Sequence, residues 1–249
     1  TVVVAFIFFG NLLIATRGLG HFWPAQVHEF TVRDEHGERT RLVGQVRERE
    51  TVPMERLGDL AATLEGESGF VTRVLVKSGN RELTGQDFRW VMEERILQQR
   101  APSSMAVLER EEWGVFFGTV TGLKTNGDLL GSRDVWGDFQ HMLDQSRQLR
   151  DEIHDLQRRE VGNINYRLEQ LRLKERGLQL EGAVNKEPFE AIALERQQLQ
   201  SVYEQLEARL TGLNEAMLQH SVVVRTGAGP ESDLDLPLTG ILDAWQPNA

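Results

Sequence analysis

Apolar positions fall into four blocks along the chain, each with its own period. The first runs from Val2 to Ala15, interrupted only by Gly10 and Asn11 and closed by Arg17. A membrane-spanning helix needs about 20 apolar residues, so this run reads as the second half of one. The chain begins without Met, and the first half is expected upstream. Arg17 and His21 then fall at head-group depth, Phe22 and Trp23 act as interfacial aromatics, and Pro24 ends the helix. A buried core helix or the apolar core of a signal peptide are the competing readings. Gly18-Leu19-Gly20-His21 is a poor cleavage site for the latter.

The second block, from about residue 27 to 123, carries strand signals. Val27–Asp34 and Arg41–Thr51 flank the turn Asp34-Glu35-His36-Gly37 and predict a hairpin. Met54, Leu57, Leu60, Ala61 and Leu64 have helical spacing, which predicts a short helix over Pro53–Glu65, closed by Gly66. Further strands are predicted at Phe70–Lys77, Phe88–Leu97, Met105–Glu109 and Trp113–Leu123. This set points to a small antiparallel sheet domain or a barrel. Gly114, Gly118 and Gly122 in the last strand allow bends or close backbone approach.

The third block, 133–220, changes to Glu, Gln, Arg and Leu with a heptad seam. Val135, Phe139, Met142, Ser146, Leu149, Ile153 and Leu156 alternate steps of four and three. Charged Glu160 breaks the stripe, which resumes one residue out of phase at Ile164, Leu168, Leu171, Glu175 and Leu178. That slip predicts a local disturbance or bend near Gly162. Gly182 closes the arm, Asn185 is a helix cap, and Pro188 fits a first turn. The second arm is unbroken: Ile192, Arg196, Leu199, Tyr203, Leu206, Leu210, Leu213, Met217. Two such arms around a short loop predict an antiparallel coiled-coil hairpin with Leu180, Ala183 and Val184 at its tip. In the last block, Val222–Arg225 is a strand and Leu234–Trp245 a closing segment, its final part Leu238–Trp245 a short helix.

The predicted fold class is therefore α+β: a small antiparallel β domain interrupted by a long coiled-coil hairpin and preceded by part of a transmembrane helix. The divisions are 1–24 for membrane and interface, 25–132 for the β domain, 133–220 for the hairpin and 221–249 for the return. Composition refines this picture. The 249 residues hold 28 Lys+Arg against 38 Asp+Glu, a net charge of −10, which argues against a dedicated nucleic-acid binder. The absence of cysteine excludes disulfides, thiolate zinc sites and a cysteine nucleophile. The mean hydropathy of −0.38 averages an apolar beginning with a very polar middle.

Catalytic signatures are absent from the sequence: no phosphate-binding loop, nucleophile elbow, zincin helix or dinucleotide fingerprint occurs. Asp134, Asp138 and His141 share one helical face, a spacing that suits a divalent cation. No fourth ligand lies nearby, and a solvated face beside the seam accounts for them. Glu93-Glu94 and Glu111-Glu112 are adjacent carboxylates that a strand would point to opposite faces. The expectation is a non-enzyme with no cofactor and no metal.

Several stretches carry a family resemblance. Leu12-Leu-Ile-Ala-Thr-Arg-Gly-Leu-Gly-His-Phe-Trp-Pro24 resembles the end of the first membrane helix of the longer proteobacterial form of PstA, a permease subunit of the phosphate ABC importer. Leu42–Glu50, Gly79–Val91 and Leu236–Asn248 are similar to its periplasmic region, as is the intervening coiled coil. The resemblance implies a bacterial inner-membrane protein whose periplasmic insertion is seen here, with the pore-forming helices after Ala249. It implies three partners: a second permease subunit, an ATPase subunit reached through membrane segments outside this chain, and a periplasmic phosphate-binding protein. The alternative is a periplasmic adaptor of the membrane-fusion type, which has the same order of anchor, β region, α-hairpin and β region. A membrane-tethered scaffold with a coiled-coil dimer is a third class, disfavoured by the short loop between the two arms.

Overall fold

The computed structural model describes residues 25–34, 37–57, 69–182, 184–227 and 233–249. The expected membrane segment, with Arg17, His21, Phe22, Trp23 and Pro24, lies outside them. Among the described residues no helix is long and apolar enough to cross a membrane. Of the helix expected over Pro53–Glu65, only 54–57 is described within the helical run, as a 3-10 turn.

Five strands form the first antiparallel sheet: β1 (His28–Arg33), β2 (Arg39–Pro53), β3 (Phe70–Lys77), β4 (Phe88–Met92) and β5 (Ile96–Arg100), in the order β4-β3-β2-β1-β5. β4 and β5 stand at opposite edges, yet only the 3-10 turn Glu93–Arg95 joins them. A flat sheet would set those edges about 19 Å apart, whereas the four Cα steps from Met92 to Ile96 reach at most about 15 Å. The sheet must therefore curl. The single strand expected over Phe88–Leu97 is thus two strands, because the chain has to cross from one edge to the other.

β2 is shared in series. Its residues Arg39–Gly44 pair with β1, and Gln45–Pro53 pair with β3, with a bulge between Val46 and Glu48. Gly44 sits at the handover, where a Cβ would collide with the Lys77 carbonyl and lie 2.6 Å from the Val76 side chain. Inside the curl pack Phe30, Val32, Leu42, Val74, Val76 and Val91, flanked by Val46 and Ile96. Each such buried side chain contributes about 1.5–3 kcal/mol.

The second sheet contains β6 (Met105–Arg110), β7 (Val115–Thr125), β8 (Asp128–Leu129), β9 (His220–Arg225), β10 (Asp233–Pro237) and β11 (Ile241–Trp245). Its order is β10-β9-β7-β6-β11, with β8 paired to β7. Among the described residues each sheet keeps two edge strands, so neither closes a barrel. The helix expected over Leu238–Trp245 is a correction: Leu238–Gly240 is a 3-10 turn and the rest is β11, which pairs with β6. The backbone groups of β6 on that side need partners, and β11 supplies them. At Gly118 a Cβ would stand 2.7 Å from the Arg225 carbonyl, so this glycine of β7 does permit close backbone approach.

The chain divides into two compact units. The first takes the described part of Thr1–Thr121, with Val224–Leu234 and Ile241–Ala249. The second takes Gly122–Val223 and Asp235–Gly240. Within the first lies the one-turn helix α1 (Arg81–Thr84). Within the second lie α2 (Val135–Asp155), a π-helical turn (Leu156–Val161), α3 (Gly162–Leu180) and α4 (Glu187–Leu218). Asp134 caps α2, its carboxylate accepting from the Gly137 N–H at 3.0 Å. The Asn185 side chain accepts from the Glu187 N–H at 3.1 Å, and Pro188 occupies the first turn of α4.

The two arms run antiparallel. Ion pairs join Glu152 to Arg209 near one end of the arms, and Arg167 to Glu195 and Glu175 to Arg196 towards the other, so the low-numbered part of the first arm faces the high-numbered part of the second. Every expected seam position of the first arm is buried or half-buried, from Phe139 through Leu156 and again from Ile164 through Leu178, while Glu160 is exposed. The π turn falls at the phase slip. Leu156 to Ile164 is eight residues where two α-helical turns hold about seven, and a π turn takes in one extra residue. α4, with 32 residues, is about 48 Å long.

Candidate functional site

The first described segment of the first unit is tied to its last. The Asn248 carboxamide oxygen accepts the Val27 N–H at 3.1 Å, and its nitrogen donates to the Val27 carbonyl at 2.7 Å and the Pro102 carbonyl at 2.9 Å. One side chain thus acts as a short piece of β-strand. Val27 is fully buried with Val43, Met105, Val107 and Phe117, with Trp245 packed against them. Buried Gln45 donates to the Ala25 carbonyl at 2.8 Å. His28, next to this stem, tilts against Phe30 with ring centroids 5.8 Å apart. Burial, assisted by the Arg49 charge, pushes its pKa below the ordinary 6.5. In the sequence Asn248 belongs to the stretch Leu236–Asn248 that carries the resemblance, and nothing there signals this structural role.

A second anchor holds the β3–β4 connection to β7. Gly79 and Asn80 both have left-handed backbones, with φ of 56° and 51°. That pair lets the Asn80 N–H donate to the Val115 carbonyl at 3.1 Å. Its side chain accepts from the Phe117 N–H at 2.8 Å and donates to the Phe117 carbonyl at 2.9 Å. A Cβ on Gly79 would stand 2.8 Å from the Phe117 ring, so glycine is required there. From α1, Glu82 grips Arg110 through both carboxylate oxygens, and Arg110 also lies over the Phe116 ring. The Arg110 side chain is only 8 % exposed. Nothing in the sequence of Ser78-Gly79-Asn80 points to β7.

The other expected positions separate. At the end of the arms Leu180 and Val184 are 75 % and 93 % exposed, and Ala183 lies outside the described residues. Asp134 is spent on capping, Asp138 accepts from Ser132 Oγ at 2.6 Å, and His141 meets Gln145 at 3.1 Å. Among the described residues no cluster of three or more His, Asp or Glu is placed to hold a metal ion. Glu93 and Glu94 sit in the 3-10 turn rather than a strand, and Glu93 faces Arg49 at 3.7 Å. Glu111 and Glu112 are exposed in the bend before β7.

No protein-family model, curated protein or solved structure matches this chain. The arrangement therefore has to be read from its own geometry. It consists of a stem that joins the first and last described segments of one unit, and a pair of long charged arms with exposed apolar residues at their turn.

Proposed function

We propose that the chain is the periplasmic insertion of a membrane-embedded permease subunit of a phosphate ABC importer in a bacterial inner membrane. The observation that carries this reading is the Asn248–Val27 stem. A domain inserted between two membrane helices must leave the bilayer and return to it at nearly one place. The stem fits that need, and Val27 follows the apolar run Val2–Ala15 by 12 positions. The solute, phosphate, comes from the resemblance alone.

In this reading the arms form an antiparallel coiled coil that docks or braces a partner and carries out no reaction of its own. Its seam has the heptad period, and its outward charges keep it soluble. The partners are the periplasmic phosphate-binding protein and the second permease subunit, while the ATPase subunit engages membrane segments elsewhere in the protein. No cofactor or metal is required. The membrane-fusion adaptor is less well supported, because β9 and β11 complete the sheet of β6 and β7 instead of building a second module.

The test is a shortened hairpin in the whole permease subunit. Removing Gln157–Glu204 and closing with a Gly-Asn-Gly turn keeps the Glu152–Arg209 pair at the new end. Uptake of radiolabelled phosphate and chemical cross-linking to the phosphate-binding protein should both fall. Normal values for both would refute a docking or bracing role.

A further inference from the structure

We propose that the cleft beside β4 binds a small organic anion, with a phosphate, sulfonate or carboxylate group on an apolar or planar body. The cleft has a volume of about 550 Å³ and lies wholly within the first unit, between β4, the following 3-10 turn and the β1–β2 hairpin. Curling of the sheet creates it: β4 is an edge strand, and the chain swings away from that edge to join β1 on the other side. Four arginines line it, Arg33, Arg73, Arg89 and Arg95, against one acidic residue, Asp34. A second carboxylate, Glu50, grips Arg73 from the neighbouring strand. The local balance is therefore positive in a chain whose net charge is −10. Charge of one sign in a low-dielectric cleft focuses its field on the opening and draws in ions of opposite sign.

Two roles divide among the arginines. Arg73 lies 4.2 Å above the Trp90 ring and is fixed by Glu50, so it is part of the wall. Arg33 and Arg89 are exposed and make no ion pair with a described residue. Their planar donor forks suit a phosphate, sulfonate or carboxylate group, which they bind through paired hydrogen bonds. The remaining lining is apolar, with Trp90, Leu42, Leu57 and Met92. A free inorganic ion would leave that surface bare and fill a small part of a cavity in the size range of small-molecule sites, about 300–1,000 Å³. The combination fits an anionic group joined to an apolar or ring-shaped body. This assignment does not depend on the transport reading.

Titration calorimetry on the full chain in a non-ionic detergent at low salt tests it, with phenyl phosphate, phenol and inorganic phosphate as separate probes. Phenyl phosphate should bind saturably and more tightly than either of its halves, and weaken as salt is added. The double variant R33Q/R89Q should weaken it about 10-fold or more, since hydrogen bonds to charged groups are lost. The single variant R89Q should show a smaller loss in the same direction. R172Q, which removes an exposed guanidinium on α3, should change nothing. Arg33 and Arg89 are both exposed, so an unchanged unfolding midpoint is expected for the variants. The proposal is overturned if phenyl phosphate shows no saturable binding at millimolar concentration, if R33Q/R89Q binds as the parent does, or if phenol or inorganic phosphate binds as tightly as phenyl phosphate.

Discussion

Deleting Glu160 should leave the helical arms intact, whereas deleting Gln148 should not, although both residues are exposed on the same arm. Removing one residue from an α-helix turns everything beyond it by about 100°. At Gln148 that rotation swings Leu149, Ile153 and Leu156 off the seam. Loss of the π turn could bring Ile164 and the residues after it back into phase, but it cannot rescue these three. Ile153 and Leu156 are 9 % and 8 % exposed, and exposing each costs about 1.5–3 kcal/mol, so the loss is about 3–6 kcal/mol before Leu149 is counted. At Glu160 the deletion shortens the Leu156-to-Ile164 spacing from eight residues to seven, and the π turn becomes an ordinary α turn. No buried side chain leaves the seam, and the change should stay within about 1 kcal/mol of the parent. Urea unfolding followed by helical ellipticity compares the two variants. If deleting Glu160 costs as much as deleting Gln148, the π turn is not what brings the two halves of the seam into phase.

Asn80→Ala should destabilise by about 3 kcal/mol in chemical unfolding, because it strands the buried N–H and C=O of Phe117 and keeps a left-handed backbone without glycine or asparagine to tolerate it. Glu82→Ala should cost about 2–3 kcal/mol, because it leaves the largely buried Arg110 guanidinium without its counter-charge; the double variant with Arg110→Met should recover much of that loss. For His28 the sign follows from its lowered pKa: the unfolded chain takes up the proton near 6.5 more readily than the folded one, so its stabilising contribution is present above that pH and is lost as pH falls through the folded value. His28→Gln should therefore show a shallower fall in unfolding temperature between pH 7 and pH 5 than the parent. Asn248→Ala should speed amide exchange at Val27, since the side chain that holds that N–H is removed; unchanged protection would mean that the stem does not depend on it.

Much of the helical half was legible because its information is local. A face that must be buried along a helix repeats every three to four residues, and the stripe from Val135 to Met217 shows that repeat directly. Even the irregularity was visible: the extra residue between Leu156 and Ile164 marked the place where the π turn lies, though not which form the disturbance would take. The hairpin β1–β2 and the strands β3, β6 and β7 were likewise readable from short apolar runs between turn residues. The two errors among the strands both arise from pairing with distant segments. Glu93-Glu94-Arg95 interrupts Phe88–Leu97 because the sheet curls, and Ile241–Trp245 is extended because β6 lacks a partner on that side.

The sequence alone determined which faces of each element are apolar, where the arms begin and end, and where their seam loses phase. The tertiary structure decided what no local window contains. Asn248 meets Val27 across 221 positions of chain, and Asn80 reaches Phe117 across 37. The four arginines of the cleft come from three separate stretches of the first sheet. Periodicity records the need to bury a face, and it is written in neighbouring residues. Pairing a backbone amide or gathering charge around a cavity depends on which distant segment the fold brings alongside, and that is set only when the sheet curls and its edges find partners.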